Sequence, residues 1–148
     1  GAPDSSDVVP HILTADACDR PWGSQFFDRI LLDAPCTGLG ALRRRPESRW
    51  RRNRKDVSEL ASLQRRLLAT GLSSVRSGGV LAYVTCSPHI AETIDVVEEV
   101  LLHIDDVQVL DARELLPNVP DLGPGPHVQL WPHLHSTDAM HLTLMRRD

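Results

Sequence analysis

FDRILLDAPCTGLG (Phe27–Gly40) and GGVLAYVTCSP (Gly78–Pro88) decide how this chain is read. In the first, the apolar run Ile30-Leu31-Leu32 ends in Asp33-Ala34-Pro35-Cys36. In the second, Val80–Val84 ends in Thr85-Cys86-Ser87-Pro88. Short apolar runs closed by Pro and Gly are the pattern of buried strands. An open parallel sheet receives ligands at the carboxyl ends of its strands. Asp33, Cys36 and Cys86 all fall at such ends. The two stretches therefore predict one reaction centre built from two strand tips.

Outward from these strands, residues 1–7 are polar and expected to fray. Val8–Leu13 reads as a strand running to Asp16, with Pro10 suiting an edge. Residues 34–54 form a Gly-, Pro- and Arg-rich connection with a short helical turn. Asp56–Val75 reads as a helix, Asp56 as its N-cap and Glu59 three residues on. Ile90–Ile104 reads as a second helix. Its stripe is Ile90, Ile94, Val97, Leu101 and Ile104, and Glu92, Asp95, Glu98 and Glu99 lie mostly outside it. Val107–Leu110 and Met140–Met145 read as strands, and the proline-rich residues 117–133 as a loop. Strands alternating with helices predict an α/β domain with a mostly parallel sheet. The last two strands have no helix between them and are expected to form an antiparallel edge.

The 148 residues suffice for one domain with a core. No apolar run approaches the roughly 20 residues of a membrane helix, and the polar start lacks signal-peptide character. The expectation is a cytoplasmic protein with no membrane partner. Three cysteines fit neither a disulfide framework nor a CxxC site, which points to free thiols in a reducing compartment. Charge is unevenly spread. Arg43–Lys55 holds eight basic residues against Glu47 alone, +7 in a chain of net −4, leaving −11 elsewhere. Such an island suits local contact with a polyanion.

Cys86 sits at a strand-to-helix turn, where helix amides lower a thiol pKa and favour a nucleophile. It equally fits a buried small side chain. Cys36 carries the same two readings, while Cys18 has no such context. Asp16 and Asp33 can bind a ligand's hydroxyl or amino group, or cap a turn. Arg43, Arg44, Arg45, Arg49 and Trp50 can hold phosphate and stack on a base, or form a solvated loop. His133 and His135 have metal-like spacing but no third ligand, so no metal is expected. A thiol redox or acyl-transfer enzyme would need a base beside a cysteine, and His89 is the near candidate.

Together, DAPCTGLGALRRRPESRW and GGVLAYVTCSPHIAET resemble the bacterial Sun/Fmu-type ribosomal RNA cytosine-5 methyltransferases of the NOL1/NOP2/Sun family. The tail LWPHLHSTDAMHLTLMRR resembles the family's ending. Thr37 replaces a usual Ser, and Glu92-Thr93 stands where Glu-Asn is common. The resemblance implies a Rossmann-like fold dependent on S-adenosylmethionine and acting on ribosomal RNA, 16S being the expected one. It implies Cys86 as nucleophile, Cys36 in product release, and Asp33 and Asp16 beside the cofactor. It places Arg43–Arg45, Arg49 and Trp50 near the RNA.

The family's Gly-rich cofactor loop and ribose-binding acid do not occur in these residues. The expectation is a C-terminal portion of the catalytic domain across residues 1–148, lacking the first strands. Alone it should be inactive, bind the cofactor weakly or not at all, and self-associate through an uncovered sheet edge. The competing reading is a non-catalytic RNA-binding or scaffolding remnant of such an enzyme.

Overall fold

Parallel pairing of the two motif strands organises the computed structural model, which describes residues 10–51 and 53–148. Strand β1 (Phe27–Asp33) runs beside β2 (Val75–Thr85), from Ile30 opposite Leu81 to Asp33 opposite Val84. Parallel neighbours require a long crossover. It is made by a short helix α1 (Ser48–Arg51) and a long one, α2 (Arg54–Ser74). Asn53 caps α2, accepting from the amides of Lys55 and Asp56, while the Asp56 carboxylate accepts from the Asn53 amide. Asp56 is thus the third helical residue, not the cap, because Asn53 already satisfies the first free amides.

β2 starts directly at the end of α2, five residues before the expected Val80. Phe27 faces Val75 but Arg29 faces Val80, so Arg76–Gly79 bulges out of the ladder. Gly78 makes this possible with φ +73°, and at Gly79 a Cβ would lie 2.9 Å from the Asp28 carbonyl.

The final strand β5 (Met140–Arg147) lies inside the sheet, antiparallel to β2 on one side. On its other side it pairs antiparallel with β3 (Val107–Leu110) and β4 (Val128–Leu130). Strands β1–β4 share one direction, so the sheet is parallel apart from β5. The expected antiparallel pairing of the last two strands is present between β3 and β5, but the reversed strand, β5, is interior and β3 is at the edge. The side chains of β5 pack on both faces, with Met145 in one apolar cluster and Leu142 and Leu144 against another, as suits an inner strand. β4 and the short helix α4 (Pro132–His135) both arise within the stretch read as a loop. The expected helix over 90–104 is a 3-10 turn, Ile90–Glu92, broken at Thr93 from α3 (Ile94–Leu101).

Val8 and Val9 of the expected first strand lie outside the described residues, as do residues 1–7 and Arg52. Residues 10–16 form no strand, and Ile12 is 91% exposed. Among the described residues β1 is the sheet's edge, with nothing beside it for residues 10–16 to pair with. Leu31 on β1 is 72% exposed.

α2 and α3 cover one sheet face, burying Leu68, Leu72, Leu81, Tyr83, Val96, Val97 and Met145. Ala112, Leu122 and Val128 form a smaller core with Leu142 and Leu144. Among the described residues no helix is long and apolar enough to cross a membrane.

Gly40 ties the loop after β1 to the backbone at Cys86 and at Ala139. Its amide donates to the Cys86 carbonyl at 3.0 Å, and its carbonyl accepts from the Ala139 amide at 2.9 Å. A Cβ there would sit 2.1 Å from the Ala139 oxygen and 2.8 Å from the Cys86 oxygen. Gly40→Ala should therefore destabilise the chain by about 3 kcal/mol, read as a fall in denaturant midpoint.

Buried His141 bonds through Nε2 to Thr143 Oγ1 at 2.9 Å, and His127 Nδ1 shares that oxygen at 2.7 Å. Burial, then the neighbouring His127, lowers the His141 pKa to about 3. An unfolded histidine titrates near 6.5, so this stability is present above that pH and lost below it. His141 alone should cost ~2 kcal/mol on going from pH 7.5 to pH 5. A His141→Gln variant should show a correspondingly shallower acid-side fall in stability.

Candidate active site

β1 and β2 deliver their cysteines to one place. Ala34 at the end of β1 donates its amide to the Val84 carbonyl at 3.0 Å, which aligns the two strand tips. Beyond them Cys36 Sγ and Cys86 Sγ stand 3.3 Å apart, within hydrogen-bond reach for sulfur. Both are free thiols. They line a cleft of about 470 Å³ with Asp33, Thr37, Gly38, Arg44, Arg45 and Ser48.

The two thiols are unequal. By geometry either sulfur could donate, but the contact with Cys86 and then burial raise the Cys36 pKa, which makes Cys36 the donor. That donation lowers Cys86 to about 6, against burial and the nearby carboxylates of Asp33 and Asp138. Near neutrality Cys86 is the thiolate of the pair, the form in which cysteine attacks carbon. His89 is no base for it here: its Nδ1 accepts from the Ala91 amide as the cap of the 3-10 turn.

Beneath the sulfurs lies Glu92, fully buried rather than outside the apolar stripe. One carboxyl oxygen accepts from the Thr37 amide at 2.8 Å and from Gln64 Nε2 at 3.2 Å. The other accepts from the hydroxyls of Thr37 and Ser87, both at 2.6 Å. Gln64 also donates to the Pro35 carbonyl at 2.8 Å, and the Tyr83 hydroxyl donates to the Glu92 carbonyl at 2.9 Å. Glu92 thus joins both cysteine loops to α2. Sequence reasoning missed this, since helical spacing across Thr93 puts Glu92 on the wet side. Its one local signal was its place six residues after Cys86.

Asp138 was also missed. It is buried just before β5 and accepts from Arg43 Nε at 2.9 Å and Arg44 Nε at 2.8 Å. Arg44 and then Arg43 hold its carboxyl below the usual range. The tail therefore fixes two arginines at the cleft. Arg45 lines the cleft as well, whereas Arg49 lies over the Trp50 ring at 4.6 Å. Trp50 is 79% exposed and faces solvent.

Asp33 is exposed and lines the cleft beside Cys86. Asp16 is not brought there: its carboxylate caps the Ala17–Asp19 turn by accepting from the Cys18 amide at 2.8 Å. His135 has both ring nitrogens engaged, with the Trp131 amide and the Pro120 carbonyl. Among the described residues no cluster of three metal-ligating side chains occurs.

This geometry coincides with what the chain resembles. The family described as 16S rRNA methyltransferase RsmB/F matches residues 9–146. A Mycobacterium tuberculosis protein that carries the name methyltransferase is 58% identical over 122 residues, 82% of this chain and 26% of its own length. The ribosomal RNA small subunit methyltransferase B of Shewanella oneidensis is 34% identical over 140 residues, 93% of this chain and 32% of its own. Among solved structures, NSun6 from Pyrococcus horikoshii with SFG superposes with a TM-score of 0.76 at 28% identity, covering 91% of this chain and 34% of that one. The chain thus spans a quarter to a third of the length of these relatives. With its family match running through both cysteine motifs to the last strand, the chain belongs to the RsmB/F family of 16S rRNA methyltransferases.

Proposed function

We propose that this protein transfers a methyl group from S-adenosylmethionine to carbon 5 of a cytosine in RNA, 16S ribosomal RNA by the names of its relatives. The observation that carries the reading is the 3.3 Å contact between a donating Cys36 thiol and a Cys86 thiol lowered to about 6. Cytosine carbon 5 is a poor nucleophile. The Cys86 thiolate adds to carbon 6, which makes carbon 5 enamine-like. S-adenosylmethionine supplies the electrophilic methyl group. Loss of the carbon 5 proton to solvent water then restores the ring and expels Cys86 as the leaving thiolate. The Cys36 thiol, 3.3 Å away, is placed to hydrogen-bond that departing thiolate and so assist product release.

The cleft suits the cofactor in one respect: Asp33 is an exposed carboxylate beside Cys86, fitted to a cationic or amino group. Asp16 would assist only by leaving its present role as a turn cap. The target base must leave its stack to reach the sulfurs. Arg44 and Arg45 at the cleft suit the flanking phosphates, and exposed Trp50 with Arg49 suits a neighbouring base.

In the intact enzyme, Cys86→Ser should abolish methyl transfer to RNA. Cys36→Ser should leave RNA attached to the protein, seen as a slow band on a denaturing gel. Transfer by Cys86→Ser at the wild-type rate would reject the nucleophile. Replacing Arg43, Arg44 and Arg45 by Glu should weaken RNA binding at least tenfold and flatten its salt dependence. The non-catalytic alternative expects both cysteine variants to behave like the parent protein.

A further inference from the structure

We propose that Glu92 is a positioning residue whose carboxyl clamps the Cys36 loop to the Cys86 loop so that one thiol can donate to the other. A thiol is a weak donor and a weak acceptor. Their contact cannot by itself hold two loops whose cysteines are fifty residues apart. The bonds beneath it can. Glu92 binds the residue after each cysteine, Thr37 through amide and hydroxyl and Ser87 through hydroxyl. Gln64 ties the same carboxyl and the Pro35 carbonyl to α2. Hydroxyl-to-carboxyl contacts of 2.6 Å lie at the short end of the hydrogen-bond range.

The charged and titratable groups that bear on Cys86 are Cys36, Asp33, Asp138 and Arg44. Glu92 makes hydrogen bonds to the residues that follow the two cysteines, Thr37 and Ser87, so it can act on Cys86 in two ways, as a charge or as a clamp. The sign of its effect separates the two. Acting as a nearby negative charge, Glu92 would disfavour the thiolate, and its removal would lower the Cys86 pKa. Acting as a clamp, its removal separates the sulfurs and raises that pKa.

The consequence for methylation rests on the function proposed above, but the test needs neither RNA nor methyl donor, so either can fail without the other. The 148-residue chain is alkylated with iodoacetamide between pH 5 and 9, and modification of Cys86 is followed by peptide mass spectrometry. The midpoint is expected near 6 in the parent chain and near the ordinary thiol value of about 8.5 in Cys36→Ala. Glu92→Ala should raise it by about one unit or more, slowing alkylation at pH 5.5 roughly tenfold. It should add nothing in a Cys36→Ala background, since a clamp acts through Cys36. A folded Glu92→Ala chain with an unchanged or lowered midpoint overturns the proposal, as does a shift of equal size without Cys36. If Glu92→Ala does not fold, Thr37→Val and Ser87→Ala each remove one bond of the clamp. A raised midpoint in either supports it, and a parental midpoint in both overturns it.

Discussion

Two sulfurs fifty residues apart in sequence meet at 3.3 Å only because three separate chain segments cross in the space beneath them. Parallel pairing of β1 and β2 brings the strand ends level. Gly40, lacking a side chain, lets the loop after β1 lie directly on the Cys86 and Ala139 backbones. The Glu92 carboxyl fills the remaining gap with hydrogen bonds to both loops. Each contact is ordinary. Their combination leaves the loops little freedom, as a preorganised site requires.

Charge is distributed around the pair with a consistent logic. Of the two thiols lining the cleft, Cys36 is shifted toward keeping its proton and Cys86 toward giving it up. Arg44 is held at the cleft mouth by buried Asp138, which pairs with Arg43 as well, so the three groups together keep one positive charge. The basic run that stands out in the sequence is thereby divided. Arg43 and Arg44 are anchored to the tail, while Arg49 and Trp50 form an exposed platform on α1. Polyanion contact at a long-range electrostatic island and stacking on a local aromatic are separable contributions.

Membership of the RsmB/F family accounts for the coincidence of motifs and geometry. The fold is shared with the solved NSun6 structure from Pyrococcus horikoshii, at a TM-score of 0.76 and 28% identity. In this chain the sheet's β1 edge and exposed Leu31 border a shallow apolar groove with Trp22, Phe27 and Leu67. That groove is separate from the cysteine cleft, and its apolar lining contrasts with the arginines and carboxylate of the site.

The sequence by itself determined the strands that carry the cysteines, the helix between them, the basic island and the family. These are local properties: hydrophobic runs, punctuation by Pro and Gly, and long contiguous motifs. It misjudged where partners lie far away. Pro10–Leu13 has strand composition but no neighbouring strand, so it stays extended and exposed. β5 reads as an edge strand, yet takes an interior place because its two faces meet different cores. Val128–Leu130 becomes a strand only because β5 offers a free edge beside it. Asp16, read as a candidate ligand-binding acid, also has a local role that tertiary contacts do not supply, capping its own turn. Glu92 and Asp138 look like surface charges and are buried, because the donors that make their burial tolerable come from loops 36–44 and from Gln64 and Ser87. A carboxylate's burial is decided by donors that tertiary folding brings to it, and no window of sequence contains them.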